Sequence, residues 1–310
     1  MKRTIFESLI ISFLIFSIVF VGLQIPRNFK LDKIPRRSIG VSRSLYIPQP
    51  IKPNNPNNGS SSDNISTASQ PSHYTSNWAG YTSTGGYYTS VSASWTVSSP
   101  SIGRRLTSDA TWVGIGGIST NDLIQAGTQN IVLRNGQIQT TAFYETLPNP
   151  SQVITSLNVE PGDNVSVLVN QVSQDEWLIK IKNTTTNQIF STTVNYASSN
   201  SSAEWIEEDP STNNLNMLPL DNFGTITFNS VDTTDNGQKM NLITSKAEPS
   251  VIVNNLGQIV ANTSSISSNG YSFSVDRTVA RSSINPVQFN QFPGIDINPN
   301  GLGINFRFGF

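Results

Sequence analysis

The chain contains no cysteine. A thiol nucleophile, a disulfide framework and any thiolate metal site are thereby excluded. It holds one histidine, His73, so any imidazole-dependent mechanism has a single candidate, and that residue sits in a linker-like stretch. Charge is scarce: Lys, Arg, Asp and Glu make up 13% of 310 residues, with a formal net charge of −1. No segment of a dozen residues keeps the 3.6-residue apolar spacing of an amphipathic helix. HExxH is missing, and Asp232-Thr233-Thr234-Asp235 is not the Asp-Thr-Gly turn of paired-aspartate enzymes. Nothing in the sequence calls for a metal or an organic cofactor.

The charges that are present divide unevenly. Residues 1–72 carry nine Lys/Arg against three acids, residues 73–277 carry eight against sixteen, and the tail from 278 carries two against one. Nucleic acid is therefore not expected as a partner, because the folded part is acidic and lacks a basic stripe. Residues 1–25 read as a signal peptide or signal anchor: Lys2 and Arg3 precede a largely apolar run from Leu9 to Ile25. That run is long for a signal h-region and short for a membrane span. Secretion and an anchor on the outer face of the membrane both fit it. Residues 26–72 form a basic, Pro-punctuated segment with Arg36-Arg37, then a Pro/Asn/Ser linker. A basic leader before an acidic body suits a removable pro-segment docked by charge, and equally a juxtamembrane patch facing lipid.

From 73 to 277 the apolar period is two. Val91, Ala93, Trp95 and Val97 alternate with polar residues, as do Val165, Val167 and Val169. Similar runs occur at 178–181, 225–228, 251–253 and 271–275, separated by turn signals such as Asn135-Gly136 and Asn269-Gly270. The pattern predicts an all-β, two-sheet antiparallel sandwich. The tail, 278–310, is rich in Asn, Pro, Gly and Phe, and it has room for an added edge strand.

Two stretches carry chemistry. In Ala203-Glu204-Trp205-Ile206-Glu207-Glu208-Asp209, strand alternation puts Glu204, Ile206 and Glu208 on one face and Ala203, Trp205 and Glu207 on the other. Crowded acids raise one another's pKa, which suits proton exchange in acid. A solvated strand end before Pro210 would look the same. In Leu123-Ile124-Gln125-Ala126-Gly127, one amide sits among residues that seek burial. Taken alone it could be a satisfied core glutamine.

With their flanks the two stretches are more specific. Ser76-Asn77-Trp78-Ala79-Gly80, Trp112-Val113-Gly114-Ile115, Gln125-Ala126-Gly127, Tyr144-Glu145, Pro161-Gly162-Asp163, Glu204 to Asp209 and Phe223 to Phe228 together resemble the glutamic peptidases, or eqolisins. The resemblance covers residues 74 to 277. It implies a concanavalin-like (jelly-roll) sandwich and a secreted, acid-active endopeptidase made with a basic pro-segment. It implies Gln125 and Glu208 as the catalytic pair, Trp78, Trp112 and Glu145 as substrate-binding residues, and Gln129 and Glu204 beside the pair. Protein or peptide substrates are the partners implied, with the chain's own basic segment as inhibitor. Fungal members carry Asp where this chain has Gly116 and Gln129, so the charge around the pair differs. Two other readings stay open: a non-catalytic sugar-binding or adhesive sandwich, and a glycoside hydrolase using Glu204 and Glu208.

Overall fold

The computed structural model describes residues 73–103, 105–212, 218–278 and 306–307. The signal segment, basic segment and linker expected over 1–72 lie outside the described residues, as do residues 279–305 of the tail. Among the described residues every regular element is a strand, and no helix is long and apolar enough to cross a membrane.

In chain order the strands are β1 (His73–Thr75), β2 (Trp78–Thr84), β3 (Tyr88–Thr96), β4 (Thr107–Gly116), β5 (Leu123–Val132) and β6 (Ile138–Thr146). There follow β7 (Gln152–Val153), β8 (Asn164–Ser173), β9 (Glu176–Asn183), β10 (Gln188–Asn195), β11 (Ser202–Glu208) and β12 (Ser211–Thr212). The last are β13 (Thr225–Asp235), β14 (Gln238–Met240), β15 (Glu248–Val253), β16 (Ile259–Thr263), β17 (Phe273–Arg277) and β18 (Phe306–Arg307). One hydrogen-bonded path runs β10-β9-β8-β3-β13-β17-β16-β15-β2-β11-β4-β5-β6-β7, with β14 on β13 and β1 on β15. The β1–β15 pair is parallel; its neighbours in the path are antiparallel. β18 pairs with β12 in a two-stranded sheet of their own, apart from the main path, so it is not an edge strand of the sandwich.

The two layers join through β13. Its first half, Thr225 to Phe228, pairs with β17, and its second half pairs with β3. A register shift separates the halves, and Ser230 there has φ 51°. Such a bulge bends a strand and lets one strand serve two layers. Cross-layer contacts fix the packing: Trp95 Nε1 donates to Thr128 Oγ1 at 3.0 Å, and Trp205 Nε1 donates to the Ser92 carbonyl at 3.0 Å. Between the layers lies a core that includes Val91, Trp95, Val113, Ile124, Trp177, Trp205 and Phe228.

The alternating strands behave as their sequences predict: β8 and β9 bury every second residue. β4, β5 and β11 differ, being buried on nearly every residue and so on both faces. Their second face carries its own apolar cluster of Trp78, Trp112, Leu123, Phe143, Leu147 and Ile206. His73 does not lie in a linker: it opens β1, and its Nε2 stands 2.7 Å from Glu248 Oε2.

Candidate active site

Antiparallel partners share a face, so the registers of β2, β11, β4, β5 and β6 decide which side chains stand together. On the face turned away from β3 and β8, three rows cross the strands. The first is Thr82, Glu204, Gly114, Gln125 and Glu145. The second is Gly80, Ile206, Trp112, Gly127 and Phe143, and the third is Trp78, Glu208, Ala110, Gln129 and Thr141. All seven residues singled out from the sequence therefore occupy one face. The acidic strand end is not solvated: Glu204, Glu207 and Glu208 are 0%, 0% and 1% exposed.

Within that face the residues form two groups. Gln125 Nε2 donates to Glu145 Oε2 at 2.7 Å, while Gln125 Oε1 is buried with no hydrogen-bond partner. Glu208 accepts from Trp112 Nε1 at 2.7 Å and from Asn77 Nδ2 at 3.1 Å. Two N–H donors on one carboxylate favour its ionised form. Gln125 and Glu208 lie two rows apart, with Trp112 and Gly127 in the row between. The glycine is obligatory there: a Cβ at Gly127 would stand 2.1 Å from the Thr111 carbonyl oxygen and 2.7 Å from Trp112 Cβ. Trp112 also packs edge-on against Trp78, ring centroids 5.0 Å apart. Asn77 went unassigned in the sequence, although Ser76-Asn77-Trp78 marked its neighbourhood; only the fold shows that it reaches Glu208.

Trp112→Phe keeps the ring and removes the indole donor, leaving Glu208 with one charge-assisted contact fewer. The expected result is a 10- to 100-fold drop in kcat/KM for a peptide substrate, roughly 1–3 kcal/mol. Steady-state kinetics on the variant checks it.

The remaining positions of the site each have a local reason. Gln129 lies in the row of Glu208, buried, with its Nε2 unpartnered. Gly116 has φ 88°, and a Cβ there would stand 2.8 Å from Asp122 Oδ2. The space beside Gly116 is thus occupied by a carboxylate from the neighbouring turn. That carboxylate accepts from the Ser199 amide at 2.6 Å and from Ser198 Oγ at 3.0 Å. Burial opposes its charge, but these donors prevail and hold Asp122 below the usual range.

On the opposite face, directly behind the third row, sits a group of acids that no motif announced. Glu207 accepts from Thr111 Oγ1 at 2.6 Å, and Asp109 accepts from Ser98 Oγ at 2.9 Å. Burial pushes Glu207 well above the ordinary carboxylate range, with the charge of Asp109 adding to it. Burial also raises Asp109, and it lifts Asp221 to about 10 with the help of Asp109 alongside. Asp209 is pushed up to about 8 by burial and then by Glu208. The cation beside them is Arg277, whose own pKa burial depresses while Asp209 and Asp221 counter the shift. Its Nε donates to the Asp221 carbonyl at 2.7 Å and Nη1 to the Val260 carbonyl at 2.6 Å.

Glu204 and Glu208 share a strand face four residues apart, so their Cα atoms are roughly 13 Å apart. Among the described residues no cluster of His, Asp and Glu could hold a metal ion. A buried amide, Gln125, and a buried carboxylate, Glu208, thus stand on one sheet face.

Residues 76–275 match the Peptidase A4 family, and the chain belongs to it, a family of peptide-bond hydrolases. It is similar to aspergillopepsin-2 of Aspergillus niger, 27% identical over 187 residues, a match covering 53% of this chain and 66% of that one. Among solved structures it resembles scytalido-glutamic peptidase bound to a transition-state analogue inhibitor: TM-score 0.57, 26% identity, 66% of this chain and 98% of the other. The aspergilloglutamic peptidase of Aspergillus niger aligns with TM-score 0.50 and 26% identity, over 56% of this chain and 99% of that one.

Proposed function

We propose that this chain is an exported endopeptidase, active in acid, that hydrolyses protein substrates with Glu208 and Gln125 as its working pair. The observation that carries the reading is the convergence of Gln125, Glu145, Trp112 and Glu208 on one face, with Glu208 held by two N–H donors. Trp112 stands in the row between the pair, and a scissile peptide would lie against it. Glu208, ionised, takes a proton from a water as that water attacks the scissile carbonyl, and returns it to the leaving amine. Gln125 Oε1 accepts from the water, and an N–H of Gln125 stabilises the developing oxyanion. No covalent intermediate forms. Trp78 and Glu145 then contact substrate on either side.

Gln125 and Glu208 are 0% and 1% exposed, so substrate entry requires this face to open. On this reading the chain is made as a zymogen. The basic stretch within 26–72 has the charge to act as a pro-segment for the acidic body of residues 73–277.

The test is incubation of the full chain with an unfolded protein at about pH 3, below the ordinary Asp/Glu range. Mass spectrometry of products and of the mature N-terminus is the readout. Cleavage of the protein, with a new N-terminus before residue 73, is the expected result. Release of sugar from a polysaccharide without proteolysis would overturn the proposal.

A further inference from the structure

The tail beyond residue 278 has no part in the mechanism above, and it lies outside the stretch 76–275 that the family match covers. It nevertheless contributes β18, whose Phe306 and Arg307 pair antiparallel with Thr212 and Ser211 of β12. β12 is the strand that follows β11, and Ser211 stands three residues past Glu208, at most roughly 11 Å along an extended backbone. The Asp209 amide donates to the Asn77 carbonyl at 2.8 Å, which keeps the chain beside β2 as it leaves Glu208. Pro210 comes next and has no N–H to offer a ladder, so the main sheet stops there. Among the described residues β12 pairs with β18 alone. The edge is anchored from behind: the Pro210 carbonyl accepts from the Leu218 amide at 3.3 Å, and the Ser108 amide of β4 donates to the Pro219 carbonyl at 3.2 Å.

An endopeptidase must hold an extended peptide of varied sequence beside its working carboxylate. Backbone pairing along a strand edge does this without regard to side chains. β12 is such an edge, one turn of chain beyond Glu208. The direction of its partner also fits. Phe306 lies opposite Thr212 and Arg307 opposite Ser211, so β18 travels toward Pro210 and Glu208. We propose that the β12 edge is a docking strand for an extended peptide backbone, and that β18 of the same chain occupies it as an internal competitor of substrate.

A two-residue ladder is weak by itself, but here the partner is tethered. The tail leaves the body at Thr278, whose amide donates to the Val260 carbonyl at 3.0 Å and whose Oγ1 donates to the Ile259 carbonyl at 2.6 Å. A tethered partner acts at an effective concentration on the order of millimolar, so weak pairing is enough to fill the edge. A substrate that makes further contacts across the site can still displace it. Charge favours the same occupant: Asn305-Phe306-Arg307-Phe308-Gly309-Phe310 has one Arg and no acid, whereas residues 73–277 hold eight Lys/Arg against sixteen acids.

This inference rests on the catalytic reading of Glu208, and the experiment separates the two. Phe306→Pro together with Arg307→Pro, made in the full chain, removes both N–H groups that β18 can offer β12 and touches no strand of the main path. Expected is a fall of about 3- to 10-fold in KM for a peptide substrate, with kcat unchanged. The synthetic peptide Asn-Phe-Arg-Phe-Gly-Phe, added to the double variant, should inhibit competitively, and the same peptide with proline at its second and third positions should not. Binding is read without catalysis: the first peptide, fluorescently labelled, should bind the double variant at least about 3-fold more tightly than wild type, whose edge is filled. Unchanged KM, equal inhibition by the two peptides, or equal binding to the two proteins would each overturn the proposal. A wild-type KM that falls as enzyme is diluted would put the tail of a second copy on the edge, and would overturn the contact within one chain. Should wild type show no proteolysis, the catalytic reading fails, while the labelled peptide still reports whether β12 takes up an extended strand.

Discussion

Glu208→Gln should abolish proteolysis while leaving the fold in place. The amide keeps the shape of the side chain; its oxygen can still accept from Trp112 Nε1, and its NH2 can donate to Asn77 once the Asn77 amide turns its oxygen toward it. It cannot take a proton from water or return one to an amine. General acid–base transfer by one residue contributes roughly 10²–10⁴ in rate. Here the same carboxylate serves both half-steps, so the loss should lie at or beyond the upper end, about 10⁴-fold in kcat. Circular dichroism and thermal melting in acid should be unchanged, because removing a buried charge seldom destabilises when its donors stay satisfied. Activity that survives this substitution would remove Glu208 from the reaction and leave Gln125 without a partner.

The second large effect is on stability. Asp109, Asp221, Glu207 and Asp209 are raised in the folded protein, Asp209 to about 8 and Asp221 to about 10. In the unfolded chain such groups ionise near 4. Between those limits the native state binds more protons than the unfolded state, so stability falls as pH rises. Each raised group takes away about 1.4 kcal/mol per pH unit above its unfolded pKa. For Asp209 and Asp221 alone, three units of rise amount to about 8 kcal/mol, comparable with the whole stability of a domain. The fold should thus be most stable below about pH 4 and should unfold as pH climbs through neutrality. A pH titration followed by far-ultraviolet circular dichroism reads this directly. Asp221→Asn should move the midpoint to higher pH, since it removes one proton that must be kept. An unchanged spectrum from acid to about pH 9 would show that these carboxyls tolerate charge in place.

Much of the sandwich was legible because β3, β8 and β9 bury one face and so alternate. β4, β5 and β11 are covered on both faces, and their sequences show Trp112-Val113-Gly114-Ile115 or Leu123-Ile124-Gln125-Ala126 instead of a period of two. For them, type had to be read from Gly-rich turns and family motifs. The β8–β9 and β9–β10 turns use Asp175 and Asn187 at φ 59°, without the Gly that betrayed the turns at Gly136 and Gly270.

The face of each site residue followed from alternation along single strands, and Glu204, Ile206 and Glu208 do stand together. Register could not be read that way. It puts Gln125 level with Glu204, and Glu208 level with Gln129, a pairing that depends on strand order β11-β4-β5. The Asp109–Asp221 contact joins residues on distant segments, and neither sits in a marked motif, so nothing local announced it.

β13 belongs to both layers, so neither layer can melt while the other keeps its full complement of hydrogen bonds. Separation of the sheets would break the strand that joins them. The sandwich should therefore come apart in one calorimetric event, its van't Hoff and calorimetric enthalpies agreeing despite its sixteen-stranded extent.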